Sequence, residues 1–163
     1  MELKKSWDFR KFMVGAFFTM LTLYLLIGLT PAKATEVDVA TEIKIPKIGL
    51  SSDVTLLTMN QGMLKTPDVV VGSYSHNKNK TFLVGHSTGV FGDLDKLELG
   101  DEIYYDLVSY TIVDIDVLQK SDVSMDRLLA PADVDTIVVM TCAGELFSGG
   151  DASHRLIITA VAR

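Results

Sequence analysis

The chain has 163 residues, 48% of them hydrophobic, and a formal net charge of −6, which leaves room for one domain and a short apolar appendage. The hydrophobic excess lies at the N-terminus, whereas residues 35–163 carry 10 Lys+Arg against 19 Asp+Glu. This balance excludes a nucleic-acid partner, because binding to a phosphate backbone needs a basic patch. The single cysteine, Cys142, also excludes an internal disulfide.

Residues 12–29, FMVGAFFTMLTLYLLIGL, form an uncharged run that predicts a transmembrane signal anchor. At ~1.5 Å rise per residue such a helix reaches about 27 Å, close to the hydrocarbon thickness of a bilayer. The basic residues of the preceding segment, 1–11, predict that it stays in the cytoplasm. A cleaved signal peptide ending at Ala34 is the alternative, although its apolar region would be longer than the usual stretch of about 7–15 residues. Both interpretations export residues 35–163, which contain most of a linker at 30–41 and a domain at 42–163.

The exported domain begins with short segments typical of β-strands. Residues 42–50 alternate polar and apolar side chains, and Pro46 within them favours an edge position or a bulge. Residues 54–58 suit either a helix or a second strand, and 59–68 favour no particular element. Further strands are predicted at 69–74 and 81–86, with a polar turn at 75–80 between them.

The second half of the chain repeats this pattern of short strands and turns. A helical turn is predicted at 93–97, a tight turn at 98–101, strands at 102–105, 110–117, 137–142 and 155–161, and a short helix at 126–129. A Gly-rich loop, 143–153, joins the last two strands. About eight short strands with little helix favour a mostly antiparallel barrel or sandwich over an alternating βα fold.

Three residues at strand ends, His86, Cys142 and Arg155, have the side chains that acyl transfer needs. A cysteine nucleophile must be deprotonated, and a nearby cation lowers the pKa of a thiol from its ordinary value of about 8.5. A histidine gives a proton to a leaving amine and takes one from the incoming nucleophile, and a guanidinium offers N–H donors to an oxyanion. Each residue alone also has a structural interpretation, as a buried thiol, a satisfied core histidine and a solvated arginine. Their combination favours catalysis.

The segments that hold these residues resemble the sortases, cysteine transpeptidases of the bacterial cell surface. The resemblance covers nearly the whole chain and includes IKIPKIGL, LVGHS with His86, FGDLDKLELGDEI, TCAG with Cys142 and HRLIITA with Arg155. The order His, then Cys after 56 residues, then Arg after another 13 also matches the family. One departure is the segment VVMTC at 138–142, where the family often has Thr-Leu-x-Thr-Cys, and this leaves the subclass open.

The resemblance implies a closed eight-stranded β-barrel that cleaves an LPxTG-like sorting signal. Cys142 would be the nucleophile that forms a thioacyl-enzyme, His86 the general acid and base, and Arg155 the residue that stabilises the oxyanion or the bound peptide. Thr141 would have a weak part in lining the substrate site. The acyl group would pass to an amine of a cell-wall precursor or of a surface protein.

Two finer expectations concern the type of sortase and its cofactors. The length of the loop 143–153 and the lack of a C-terminal apolar segment favour a compact enzyme over the pilin-polymerising type. No cofactor is predicted. Calcium binds some relatives, and the acidic pairs Asp93/Asp95 and Asp114/Asp116 are where it would bind, but such pairs are ordinarily solvated faces.

Two other functions remain open at this stage. An exported cysteine peptidase or hydrolase of cell-wall peptides would use the same thiol and transfer the acyl group to water, with His154 as the partner of Cys142. A membrane-anchored, non-enzymatic binding domain would simply bury Cys142. Alternation along a strand predicts that His154 points away from Arg155, and His76 in the polar turn is expected to be solvated.

Overall fold

The computed structural model describes residues 41–61, 63–148 and 151–163. The predicted anchor at 12–29 and the segment 1–11 lie outside the described residues, as does all of the linker 30–41 except its last residue. Within the described ranges, no helix is long and apolar enough to cross a membrane.

Eight strands close into a barrel, which confirms the fold implied by the resemblance. They are β1 (Thr41–Ile45), β2 (Leu50–Leu56), β3 (Val71–Asn77), β4 (Lys80–Val84), β5 (Glu102–Tyr105), β6 (Val108–Gln119), β7 (Thr136–Leu146) and β8 (Ala152–Ala162). The order around the barrel is β1-β2-β3-β4-β7-β8-β6-β5, with β5 pairing back to β1. The pairs β2–β3 and β4–β7 are parallel, and all other pairs are antiparallel.

Helix is confined to single turns in the described ranges. Three 3₁₀ turns occupy Pro46–Ile48, Leu94–Lys96 and Lys120–Asp122, and one α-helical turn, α1, occupies Met125–Leu128. The Ser124 hydroxyl caps α1 by accepting a hydrogen bond from the amide of Arg127 at 3.4 Å. The turn predicted at 93–97 and the short helix predicted at 126–129 are therefore confirmed.

The single strand predicted at 42–50 is wrong, because two strands and a turn occupy this segment. Pro46 begins the 3₁₀ turn, since its ring fixes φ and it has no amide to donate to a sheet. Gly49 then takes φ 63°, and its amide donates to the Pro46 carbonyl at 3.0 Å. The chain thus reverses so that Ile45 pairs with Leu50. The segment 54–58, left open between helix and strand, lies largely in β2.

The long loop predicted at 143–153 is also wrong. Pairing continues beyond Cys142 until Leu146 lies opposite Ala152, with a register shift between Ala143 and Leu146. Gly144 sits inside this irregular stretch with φ 76°, a conformation that glycine adopts without steric cost. Only residues 147–151 connect the strands. The length of the loop predicted at 143–153 therefore no longer supports a compact enzyme over the pilin-polymerising type. The polar turn predicted at 75–80 shortens similarly, because β3 runs to Asn77 and β4 begins at Lys80.

The strands β4 and β7 are buried on both faces, which explains their nearly continuous apolar sequences. Leu83 and Val139 face the main core inside the barrel and are fully buried. Phe82, Val84 and Val138 belong to a second apolar cluster on the outer face. This outer cluster also includes Ile157 of β8 and is covered by partly buried side chains, among them Leu57, Leu64, Leu118, Val123, Met125 and Leu128. The site described next lies where this outer face ends.

Candidate active site

The strand register brings the three predicted catalytic residues to one end of the barrel. In the parallel pair β4–β7, Val84 lies opposite Met140, so two residues further on His86 follows level with Cys142. In the antiparallel pair β7–β8, Cys142 lies directly opposite Arg155. Because side chains alternate along a strand, Cys142 and Arg155 lie on the outer face of the barrel, and His86 follows the end of β4 at the same end of the barrel. Each is partly exposed and partly buried.

The backbone of His86 is fixed by contacts on both sides. Its carbonyl accepts hydrogen bonds from the amides of Gly89 and Phe91, both at 3.1 Å. The preceding residue, Gly85, packs so tightly that an added Cβ would lie 2.6 Å from Val90 Cγ1 and 2.7 Å from Phe91 Cδ2. Because glycine has no Cβ, the chain at position 85 can pass close to the Phe91 ring, and His86 follows directly after it.

Thr141 has a definite structural role, which is to tie β7 to the end of β4. Its side chain is 3% exposed, and its hydroxyl donates to the Gly85 carbonyl at 2.8 Å. The amide of Gly85 in turn donates to the Met140 carbonyl at 3.4 Å. Thr141 thus connects the residue before Cys142 with the residue before His86. The expectation that Thr141 lines a substrate site stays a prediction.

The Arg155 guanidinium is largely buried, with a side-chain exposure of 13%, and it is held by neighbouring groups. Its Nη1 donates to the carbonyl oxygens of Ala152 and His154 at 2.9 and 2.8 Å. Its Nη2 donates to Oδ1 of Asp151 at 2.7 Å. The other oxygen of Asp151 accepts a hydrogen bond from Lys120.

At this end of the barrel, Asp151 forms ion pairs with both Lys120 and Arg155. Hydrogen bonds from Lys120 first, then from Arg155 and from the Ala152 amide, hold the pKa of Asp151 well below its usual range. Neither Lys120 nor Asp151 was predicted from the sequence. The only available signal was the proximity of Asp151 to Arg155, because the contact with Lys120 depends on the pairing of β6 with β8.

His154 lies apart from this arrangement. It pairs with Ala143 across the β7–β8 ladder, so alternation points its side chain away from the face that carries Cys142 and Arg155. Its Nδ1 is hydrogen-bonded with the Ser153 hydroxyl at 2.8 Å, and that hydroxyl also accepts from the Glu145 amide at 3.0 Å. His76 lies on β3, and its side chain is outside what the structure describes.

A cavity of about 300 Å³ opens beside the thiol. One wall comes from β7, with Cys142, Gly144 and Leu146, and the other from the segment after His86, with Ser87, Thr88, Phe91 and Asp95. Over the described ranges, no group of three or more His, Cys, Asp or Glu is arranged to hold a metal ion. The cavity therefore offers a mixed polar and apolar space next to the Cys142 sulfur.

Comparison with known proteins shows which family and which solved structures the chain is similar to. A family model described as "Sortase domain" matches residues 43–163. Among solved structures, a lid mutant of sortase A from Corynebacterium diphtheriae has a TM-score of 0.59 at 23% identity, covering 77% of this chain and 70% of that one. Sortase C-1 from Actinomyces oris has a TM-score of 0.58 at 24% identity, covering 78% and 74%. Sortase A from Listeria monocytogenes has a TM-score of 0.58 at 17% identity, covering 76% and 86%.

None of the curated proteins compared with the chain matches it. The architecture is that of the eight-stranded β-barrels found in these solved sortases. The chain belongs to the sortase family. Both A-type and C-type sortases are among the similar structures, so the fold alone does not select a subclass.

Proposed function

We propose that this protein is a sortase-type cysteine transpeptidase that cleaves an LPxTG-like sorting signal and transfers the acyl group to an amine. The observation that supports the proposal is the strand register, which pairs Cys142 with Arg155 and ends β4 two residues before His86 at the same end of the barrel. Membership of the sortase family supports the reaction class.

In the first half-reaction, the Cys142 thiolate attacks the carbonyl carbon of the scissile peptide bond. The carbonyl oxygen becomes an oxyanion, and collapse of this tetrahedral intermediate breaks the C–N bond while His86 gives a proton to the departing amine. The product is a thioester on Cys142. In the second half-reaction, an incoming amine attacks the thioester, His86 takes its proton, and the Cys142 thiolate leaves.

Arg155 suits the role of oxyanion donor because a guanidinium keeps its charge and has five N–H groups. Its contacts with described residues use three of these groups. The Nε–H and one N–H of Nη2 have no acceptor within the described part of the chain. Two donors of a buried guanidinium are thus free for a substrate oxygen beside Cys142, where low solvent exposure strengthens the interaction.

Met140, two residues before Cys142 on the same face, is partly exposed and packs against the outer apolar cluster, which favours a peptide substrate with a hydrophobic residue near its scissile bond. The amine acceptor is proposed to be a cell-wall precursor or a surface protein. We place the domain outside the cell, held by an anchor at residues 12–29, on the basis of that apolar run and the basic residues before it.

The test is a transfer assay with a library of sorting-signal peptides, with and without an amine nucleophile. The wild-type chain is expected to form the amide product when the amine is present. His86→Ala should abolish acyl transfer, whereas the matched variant His154→Ala should retain it, because His154 lies on the other face. Hydrolysis alone, dependent on His154, would instead support a cell-wall peptide hydrolase. No reaction with any peptide and slow alkylation of Cys142 would support a binding domain.

A further inference from the structure

The Arg155 guanidinium is oriented by one charged partner and two carbonyls. The carbonyls of Ala152 and His154 occupy Nη1, and the Asp151 carboxylate occupies one N–H of Nη2 at 2.7 Å. One N–H on Nε and one on Nη2 have no acceptor within the described part of the chain. The direction in which these two donors point depends on the contacts that hold the guanidinium.

Asp151 is itself held rigidly, although its side chain is 43% exposed. Its Oδ1 also accepts a hydrogen bond from the Ala152 amide at 2.9 Å, and its Oδ2 accepts one from Lys120. Its backbone carbonyl accepts from the Phe147 amide at 2.7 Å. The carboxylate is thus tied to the segment after β6 through Lys120, and the Asp151 backbone is tied to the end of β7 through Phe147.

We propose that Asp151 is the positioning residue for Arg155, and that it aims the free Nε and Nη2 donors at the oxyanion formed on Cys142. This inference rests on the proposed transpeptidase function. The two carbonyl contacts come from Ala152 and His154 on the strand that carries Arg155, so they hold the guanidinium against β8. Asp151 supplies the charged contact, which is the stronger kind of hydrogen bond and comes from outside β8.

The charge balance supports the same role. Lys120, Asp151 and Arg155 together carry one net positive charge at the end of the barrel where Cys142 lies. The low pKa of Asp151 keeps its carboxylate ionised over the range in which cells live. Asp151 therefore acts as a constant anchor rather than as a proton donor or acceptor.

The first test is a double-mutant cycle on thioacyl formation in the full-length chain. Asp151→Ala is expected to lower kcat about 10-fold with little change in KM, because a misplaced donor weakens only the transition-state contact. Asp151→Glu should recover part of this loss. In an Arg155→Ala background, Asp151→Ala should cause no further loss, because its effect passes through the guanidinium. An equal loss in both backgrounds would overturn the proposal and indicate a purely structural residue.

Glu102→Ala is the matched control for these measurements. Glu102 also pairs with an arginine, Arg163, at 2.6 Å, but at the other end of β8. Its loss should leave kcat unchanged. An effect as large as that of Asp151→Ala would show that any broken carboxylate–arginine pair slows the enzyme, and would contradict a specific role for Asp151.

A second measurement does not depend on peptide chemistry. The side-chain Nε–H resonance of Arg155, assigned by its disappearance in Arg155→Lys, reports rotation of the guanidinium in ¹⁵N-labelled protein. Rotation should be slow in the wild type and faster in Asp151→Ala. Unchanged rotation in that variant would overturn the inference. Failure of the wild type to form a thioacyl-enzyme with any sorting peptide would instead count against the proposed function, so the two failures are distinguishable.

Discussion

The two ends of the β7–β8 pair use polar groups in opposite ways. At the end where β7 begins, the Tyr110 hydroxyl donates to Asp135 at 3.0 Å, and the backbone of Asp135 accepts from Ala162 at 2.8 Å. At the other end, Arg155 keeps two donors without an acceptor within the described ranges, next to a partly exposed thiol. The first end uses its polar groups to close the barrel. The second leaves part of the hydrogen-bonding capacity of Arg155 unused beside the thiol, as the proposed binding of a substrate requires.

The largest effect is expected from His86→Ala at the reactive end. Loss of the proton donor and acceptor should reduce thioacyl formation by about 10²–10⁴-fold. Thermal unfolding should change little, because the His86 side chain is only partly buried. Steady-state kinetics and calorimetry on the same preparation check both statements. A large loss of stability with modest loss of rate would place His86 among the structural residues instead.

The next largest effect is expected from the loss of Arg155 in β8, and Arg163, just after β8, serves as its comparison. Arg155→Ala should lower kcat/KM by about 10²–10³-fold, as expected for removal of an oxyanion donor. Arg163, 61% exposed in its pair with Glu102, should tolerate the same change, because exposed ion pairs contribute little. Peptide-cleavage kinetics for the two variants compare the ends directly. Similar losses of kcat/KM in both variants would contradict the different roles assigned to the two ends of β8.

A smaller effect is expected from Thr141→Val, which keeps the shape of the side chain and removes its hydroxyl. The buried Gly85 carbonyl would lose its 2.8 Å hydrogen bond, which costs about 1–3 kcal/mol in the free energy of unfolding. Because that bond holds the residue before His86, kcat should fall as well. Denaturant unfolding and kinetics measure the two quantities. Full activity in a destabilised variant would show that the position of His86 does not depend on Thr141.

The smallest effect on activity is expected from Tyr110→Phe at the closing end. The variant should lose about 0.5–1.5 kcal/mol of stability with its hydrogen bond to Asp135, and kcat should not change. Burial, and then the Asp135 carboxylate, raise the pKa of Tyr110 above its usual value. This contribution to wild-type stability is therefore complete below about pH 10 and lost above it, where the unfolded tyrosine ionises. A pH series of unfolding curves should show a weaker alkaline loss in Tyr110→Phe.

Much of the fold could be predicted because the information is local. Apolar runs next to turn residues identified β4, β5, β6, β7 and β8, and the resemblance supplied the closed barrel. The errors came from residues whose conformation depends on pairing partners. Pro46 could be accommodated by a bulge or by a turn. The shorter connection between β7 and β8 could not be predicted either, because it depends on the pairing of Leu146 with Ala152.

The candidate site divides in the same way. His86, Cys142 and Arg155 were identifiable from residue type and order, and the barrel register brings them to one end of the barrel. The supporting contacts were not identifiable, because Lys120 and Asp151 are 31 residues apart and meet only through the β6–β8 pairing. Such charge contacts have no periodic signature in a sequence. They require the three-dimensional arrangement of strands.

The most direct test of the central claim is intact-mass spectrometry of the full-length chain after incubation with sorting-signal peptides. The account predicts a covalent adduct with the mass of the acyl fragment, mapped to Cys142, which disappears when an amine nucleophile is added. The adduct should form far more slowly in His86→Ala and at the normal rate in His154→Ala. No adduct with any peptide, or an adduct that requires His154 and not His86, would contradict the account.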